Sequence, residues 1–560
     1  MLEPARQHQP IMRQRTLAIL IIALLVIVGP LFVCMPLNSD TALFDVQADR
    51  VLQDGVLYRD IIEPNLPGVV WVHLAIRSVL GWSSEAMRFA DLLIFGGVLL
   101  LAGKTLTLAR PVRLSSADAS LTNELNGGRA TTTNEAIKGQ RRITTFTAFA
   151  LFFYLSCNEW CHAQRDTWML LPAMAAVWLR LKRNHGSASF GVDTSLSLLE
   201  GVCWGAAFWI KPHVAIPALC VIAVDLFSRR RSGVFLETAM VIAGGMLVGL
   251  PGIAWMTYSG AWPHFWDMML EWNPEYLKAG RERQSVERWV LMFRRFYPWW
   301  LVHLVALPVA IARLRNVLRR RLAAHEHAGG AVEGHLAGIS AFYVGWLLQS
   351  LALQHAMDYI HVPAIVLGLL VIASHEWNLA ISIRKPVIAA FLLLAMLASP
   401  ILRPERLSKW TACVKEGSSP ALKAKLAHGT FPNWNELHDV AEFLRDQNVN
   451  DYELTCLNVH SVHLFRELDV QPATRYWCVK ILQELFPSRS SQIEGAVKSS
   501  DGRFIVTESM ETGLTGATAL PTSYPWNLPV VFESGTYRVH AVTRPADAQA
   551  AAMGDSIRSF

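Results

Sequence analysis

Two aspartates stand where long apolar stretches begin or end: Asp40 just past the first, and Asp166 at the start of a later one. A carboxylate so placed can take the proton of an attacking hydroxyl. Cations occupy similar positions. They are Arg59, Arg165 beside Asp166, Lys211 at the close of a Trp-containing apolar run, and Arg294 with Arg295 just ahead of another. Arginine grips phosphate in a bidentate manner, and fixed cations stabilise a leaving oxyanion as its charge develops. His361 opens a late apolar run and adds one more polar group. Asp40 and Asp166 are thus the candidate catalytic residues. Arg59, Arg165, Lys211, Arg294, Arg295 and His361 are the candidate phosphate- or donor-binding residues. The same positions also fit plain ion pairs (Arg59 with Asp60, Arg165 with Asp166) and snorkelling side chains. His361 equally fits an interfacial hydrogen-bonding histidine.

The elements that must carry these residues follow from composition. The chain has 560 residues and a net charge of +6; it is 52% hydrophobic and only 17% charged. A soluble chain would carry about 25% charge. This excludes a disordered protein, a disulfide scaffold and an ordinary cytosolic enzyme. Apolar stretches fall at 16–35, 87–109, 143–157, 167–181, 197–210, 213–228, 234–257, 298–314, 337–353, 361–375 and 386–402. A span needs about 20 mostly apolar residues, so the pattern predicts about 11 spans. The first is read as a span, because it is too long for a signal peptide's core and lacks a small-residue cleavage site. With the N-terminus inside, cations favour the inner loops by roughly two to one, as the positive-inside rule requires. The excess therefore reports orientation and not nucleic-acid binding. An odd number of spans leaves the C-terminus outside.

The fold class expected is mainly α: a polytopic helical membrane protein, N-in and C-out, in the cell (inner) membrane. Residues 1–402 form the membrane domain, with a first extracytoplasmic loop at 36–86, and residues 403–560 form an extracytoplasmic mixed α/β domain. In the tail, 434–448 reads as a helix with Leu437, Val440, Phe443 and Leu444 on one stripe. Segments 452–459, 504–507 and 536–542 read as strands. Segment 111–142, rich in Ser, Thr, Asn and Gly, reads as a cytoplasmic loop. In the first loop, Phe44, Ala48, Val51 and Leu52 share one helical face, as in an interfacial amphipathic helix. Asp45 and Asp49, on another face, are expected to be solvated. Loop 259–297 is dense in aromatics and cations, including Trp262, Trp266, Trp272, Tyr276 and Trp289. It fits an aromatic belt with headgroup-binding arginines, or a loop that closes over a lipid phosphate. The 8 cysteines make no CxxC pair, which argues against zinc. A disulfide between Cys456 and Cys478 is one expectation for an outside domain.

The run Asp40-x-x-x-Phe44, then Gly55-Val56-x-Tyr58-Arg59-Asp60, then Pro67-Gly68 resembles the first extracytoplasmic loop of the GT-C glycosyltransferases. It is most similar to the branch of protein O-mannosyltransferases and lipid A aminoarabinose transferases. Gln164-Arg165-Asp166, Lys211-Pro212, Tyr359-x-His361-x-Pro363 and the stretch from His463 through Pro472 to Arg475-Tyr476 continue the likeness in order. Two positions depart from it: Asp40 is followed by Thr41 and not by a second acid, and Asp45 stands where an aromatic is usual.

The resemblance implies a membrane glycosyltransferase that takes a sugar from a polyprenyl-phosphate carrier. The sugar would pass, with inversion, to an extracytoplasmic protein, lipid or glycan acceptor. Asp40 would be the base or acceptor orienter, and Asp166 the second carboxylate. The expected partners are the lipid-linked donor, the acceptor and membrane lipids, with no nucleic acid. No cofactor is certain; the carboxylates show no metal spacing, and a divalent metal stays open. Two other classes remain: a transporter or flippase for a lipid-linked or anionic substrate, and a non-catalytic assembly protein.

Overall fold

The computed structural model describes residues 5–109, 128–185, 190–228, 234–282, 285–322, 331–354, 357–377, 381–428, 432–509 and 523–542. Residues 111–127, the first part of the expected loop 111–142, lie outside them. The order begins α1 (Ala5–Cys34), α2 (Ser39–Leu52), α3 (Gly68–Leu80), α4 (Ser84–Leu108), α5 (Gly128–Ser156) and α6 (Arg165–His185). It continues α7 (Phe190–Ile210), α8 (Ala215–Ser228), α9 (Val234–Tyr258), α10 (Ala261–Asp267), α11 (Asn273–Glu282) and α12 (Val286–Arg295). Next come α13 (Leu301–Leu322), α14 (Ala331–Ala352), α15 (Val362–Ala373) and α16 (Ile381–Ala398). The tail holds α17 (Pro404–Leu407), α18 (Trp410–Glu416), α19 (Pro420–Leu426), α20 (Trp434–Asp446), β1 (Leu454–Cys456), α21 (His463–Leu468), α22 (Val479–Leu485), α23 (Ser490–Lys498), β2 (Phe504–Glu508), β3 (Val530–Ser534) and β4 (Tyr537–Ala541).

Every stretch expected to span falls on one of these helices. Among the described residues, Ser84–Leu108, Val234–Tyr258 and Leu301–Arg320 are by themselves long and apolar enough to cross a membrane. The second half of the expected loop 111–142 is instead the start of α5, which begins at Gly128. Its polar residues continue the helix that the apolar 143–157 run requires.

Contacts divide the chain into two units. The first comprises residues 1–35, 80–254 and 283–417. In it α6 packs on α4 and α7, α14 on α8 and α13, and α1 on α5. Two glycines make one of its helix contacts possible. A Cβ on Gly201 would lie 1.9 Å from the Val241 carbonyl oxygen, and one on Gly244 would lie 2.0 Å from that of Leu198. Small residues at such points let apolar helices approach closely. Several buried charges in this unit are paired. Arg180 donates to Glu200 at 2.7 Å and to Asp225 at 2.7 Å; Arg183 donates to Glu200 at 3.2 Å and to Ser197 at 2.7 Å. These arginines tie α6, α7 and α8 together.

The second unit comprises residues 36–79, 255–282 and 418–560. Its four-stranded sheet runs β1-β2-β4-β3. The parallel pair β1 and β2, with Leu454 opposite Phe504, needs a crossover, which α21 to α23 supply. The antiparallel strands follow, with Phe504 opposite Ala541 and Ser534 opposite Tyr537. Helix α20 buries Leu437, Val440 and Leu444 as its stripe requires, and Phe443 stacks on Phe532 with centroids 4.6 Å apart. Cys456 and Cys478 form no disulfide: each thiol donates to a carbonyl, of Ser461 at 3.1 Å and of Leu457 at 3.4 Å.

Residues 36–79 of the first loop fold into this unit. Asn38 caps α2 by accepting from the Thr41 amide at 2.8 Å. Asp45 is not solvated. It is buried and accepts from Arg77 Nε at 2.8 Å, with His73 Nδ1 also 2.8 Å away and a second bond from the same guanidinium. Burial alone would raise its pKa, but the bonds to His73 and Arg77 hold it below the usual carboxylate value. Burial pushes His463 down to about 3 and His460 down to about 4. Burial also lowers His73, against the pull of Asp45.

Histidines kept neutral by burial contribute stability that is fully present above the unfolded value of 6.5. It is lost as pH falls toward their folded values, because the unfolded chain then binds more protons. Thermal unfolding of the full chain in nanodiscs should show a midpoint that drops between pH 7 and pH 5. The drop should be smaller in His463→Gln. An equal drop in both proteins would contradict this assignment.

Candidate functional site

The charge cluster of the first unit is built from three helix ends. The apolar run of α7 closes at Ile210, and the Lys211 amide still donates to the Ala207 carbonyl at 3.0 Å, so the lysine leaves directly from the last turn. Asp166 sits in the first turn of α6, where the helix dipole favours an anion. Gln354 follows the end of α14. Lys211 Nζ donates to Asp166 Oδ2 at 2.7 Å and also to Gln354 Oε1. The Gln354 amide returns to Asp166 Oδ1 at 3.2 Å and is itself held by Gln349. The Asp166 side chain is 0% exposed and that of Lys211 is 8% exposed. The ammonium lies 6.0 Å from the centre of the Tyr359 ring.

Such a cluster can do two things. It keeps an ammonium charged in a place that would otherwise disfavour it. It also fixes where that charge points, because two of its three donors are already assigned. Asp166, bonded on both oxygens, holds the Lys211 ammonium in place. Arg165 is buried at the preceding position, within electrostatic reach of Asp166.

His361 lies in the short turn before α15 and is 0% exposed. Its ring sits 5.8 Å from that of Trp289 and 5.4 Å from that of Trp300, and neither nitrogen finds a hydrogen-bond partner among the described residues. Arg295 ends α12 and pairs with Asp358. Arg294 beside it is exposed. On α12, Val286, Val290 and Phe293 follow at helical spacing with exposures of 79%, 53% and 45%. This outer apolar stripe suits lipid, and Trp289 turns inward to His361.

Asp40 and Arg59 belong to the second unit. Asp40 is half-buried in the first turn of α2. Arg59 makes a bidentate pair with Asp60, Nε to Oδ1 at 2.8 Å and Nη2 to Oδ2 at 2.9 Å, and its side chain is 53% exposed. Arg59 is the main cause of the lowered Asp60 pKa. Asp60 also accepts from the Val56 amide at 2.8 Å. The surrounding motif is a tight turn. A Cβ on Gly55 would meet the Arg50 carbonyl oxygen at 2.6 Å. Tyr58 takes a left-handed φ of 70°, its ring sealed and its hydroxyl donating to the Asn65 carbonyl at 2.8 Å. Just beyond, Glu63 is buried and accepts from Gln47 at 2.8 Å.

Structure thus brings together Asp166 and Lys211, and adds Gln354 and Gln349, which sequence reading missed. The polar Gln349-Ser350 pair near the end of the 337–353 apolar stretch was the available signal. Among the described residues no group of three or more His, Cys, Asp or Glu is placed to hold a metal ion.

No family model and no curated protein matches the chain. Its fold is nevertheless similar to a solved one: the crystal structure of ArnT from Cupriavidus metallidurans bound to undecaprenyl phosphate. The two superpose with a TM-score of 0.56 and 14% identity, over 94% of this chain and 98% of that one. The likeness is one of fold: many helices followed by a C-terminal α/β part, as in that structure.

Removing one partner of a buried pair strands the other, at a cost of about 3–5 kcal/mol, while removing both is far milder. Lys211→Met and Asp166→Asn should each lower the unfolding midpoint clearly. The double variant should recover most of that loss. A double variant as unstable as the two singles added together would refute direct coupling.

Proposed function

We propose that the chain is a membrane glycosyltransferase that moves a sugar from a polyprenyl-phosphate carrier to an extracytoplasmic acceptor. The observation that carries this reading is the buried Lys211 held by Asp166 and Gln354 at converging helix ends. It occurs in a fold like that of an ArnT solved with undecaprenyl phosphate. A leaving phosphate needs a fixed cation whose field is not spent on water, and this lysine has that character.

The reaction is a single displacement with inversion. The acceptor hydroxyl oxygen bonds to the anomeric carbon as the carbon–oxygen bond to phosphate breaks. The electron pair leaves with the phosphate, and the hydroxyl proton passes to a carboxylate. Lys211 and Arg165 neutralise the phosphate, and Asp166 positions Lys211. Asp40 takes the proton, since Asp166 is already engaged on both oxygens. Arg59, Arg294, Arg295 and His361 are assigned to the donor's phosphate and its surroundings. The membrane domain carries the chemistry, and the α/β domain, on the extracytoplasmic side, selects the acceptor.

Transport draws no specific support. Buried acids within the helices, which a transporter would use, are already satisfied: Asp91 accepts from Tyr154 at 2.7 Å and from Trp168 at 2.8 Å.

Purified protein in nanodiscs, given labelled polyprenyl-phosphate sugar and extracted envelope acceptors, should transfer label. Loss of a general base costs about 100-fold or more, and loss of a fixed charge-stabilising group costs about as much. Asp40→Asn and Lys211→Gln should each fall by at least that factor. Full transfer by both variants would remove the assigned roles. Carrier movement across the bilayer without transfer would replace the enzyme by a flippase.

A further inference from the structure

The stretch ending in Arg475-Tyr476 has no part in the chemistry above. Within the second unit it places a half-buried arginine on two aromatic rings. The Arg475 guanidinium carbon lies 5.9 Å from the centre of the Trp272 ring and 5.7 Å from that of Tyr476. Arg489, in the turn before α23, reaches the same indole from 5.3 Å. The rings beneath are sealed: Trp272 is 2% exposed and Tyr476 is 3% exposed. Edge contacts with Phe486 at 5.1 Å hold the indole in place. The Tyr476 hydroxyl registers both cations. Burial raises its pKa, Arg475 and Arg489 pull it back, and Asp267 acts the other way.

Two cations seated on one aromatic floor are costly unless something answers their charge. Arg489 has a partial answer in Glu271, at 3.5 Å, on a carboxylate side chain that is 63% exposed and easily displaced. Arg475 has none. Its Nε is buried without a hydrogen bond, and its guanidinium makes no ion pair among the described residues. Cation–π contact repays part of the lost hydration, but leaves the planar donor edge unused. That edge matches two oxygens of a phosphate, and a second guanidinium beside it matches a dianion.

We propose that Arg475 and Arg489, seated on Trp272, form a subsite for a phosphate group carried by a lipid or glycolipid substrate. The subsite deepens the glycosyltransferase reading, on which it rests for the class of substrate. Two sources share the chemistry: the carrier's own phosphate, and a phosphate on the acceptor's sugar.

Direct binding tests this without requiring transfer. Full-length protein in nanodiscs is titrated with polyprenyl phosphate in one arm and a phosphorylated disaccharide glycolipid in the other, with neutral polyprenol as the blank. A charged hydrogen-bond pair is worth about 1.5–3 kcal/mol, roughly tenfold or more in affinity. Arg475→Gln should weaken at least one arm by about that factor. Arg475→Lys, which keeps the charge and loses the fork, should recover only part. A loss confined to polyprenyl phosphate assigns the subsite to the carrier, and one confined to the glycolipid assigns it to the acceptor. Should Arg475→Gln fail to fold, Arg475→Lys and Arg489→Gln decide by the same reading. Affinity within about twofold of the native protein in both arms, for folded variants at both arginines, would overturn the subsite. Arginine-dependent binding with no sugar transfer by the native protein would instead overturn the function and leave the subsite standing.

Discussion

A charge withdrawn from water must meet its opposite, and that requirement organises each unit of this protein. Lys211 is tolerable among apolar helices only because Asp166 and Gln354 receive it. Arg180 and Arg183 are tolerable because Glu200 and Asp225 do the same for them. In the second unit Asp45 is bracketed by His73 and Arg77. Isolated ions would cost several kcal/mol each even after relaxation. The helices therefore pack so as to bring the partners together, and the pairs fix helix register more sharply than apolar surface can.

The same constraint separates positions that hold structure from positions that are ready to act. Arg59 is spent on Asp60 at the surface, where an exposed pair contributes little. Its motif is a tight turn built around Gly55 and Tyr58. Asp45, expected to be solvated, is a buried anchor. Arg475 is the reverse case, a half-buried guanidinium with its donor edge unspent. Chemistry belongs where a charge is held in place but not fully answered.

Apolar periodicity was legible because it is local. A run of about 20 apolar residues can only satisfy its backbone as a helix in lipid, so the helices at every expected stretch were readable from sequence. The stripe Leu437, Val440 and Leu444 repeats at helical spacing, and its burial follows. The polar start of α5 was read as loop, since composition says nothing about a helix continued from an apolar partner. Strand β3 was missed because Val530 and Val531 are both exposed and show no alternation to read.

Sequence by itself determined the class of protein, the helices and the residue types available for phosphate chemistry, because each depends on neighbours within a few turns. Tertiary structure decided which of those residues pair. Asp166 meets Lys211 across 45 positions and Gln354 across 188, and no local pattern encodes such a meeting. Only the packing of α6, α7 and α14 sets those distances. The strength of a charge contact depends on separation in space and on the water excluded around it, and neither quantity exists until the helices are assembled.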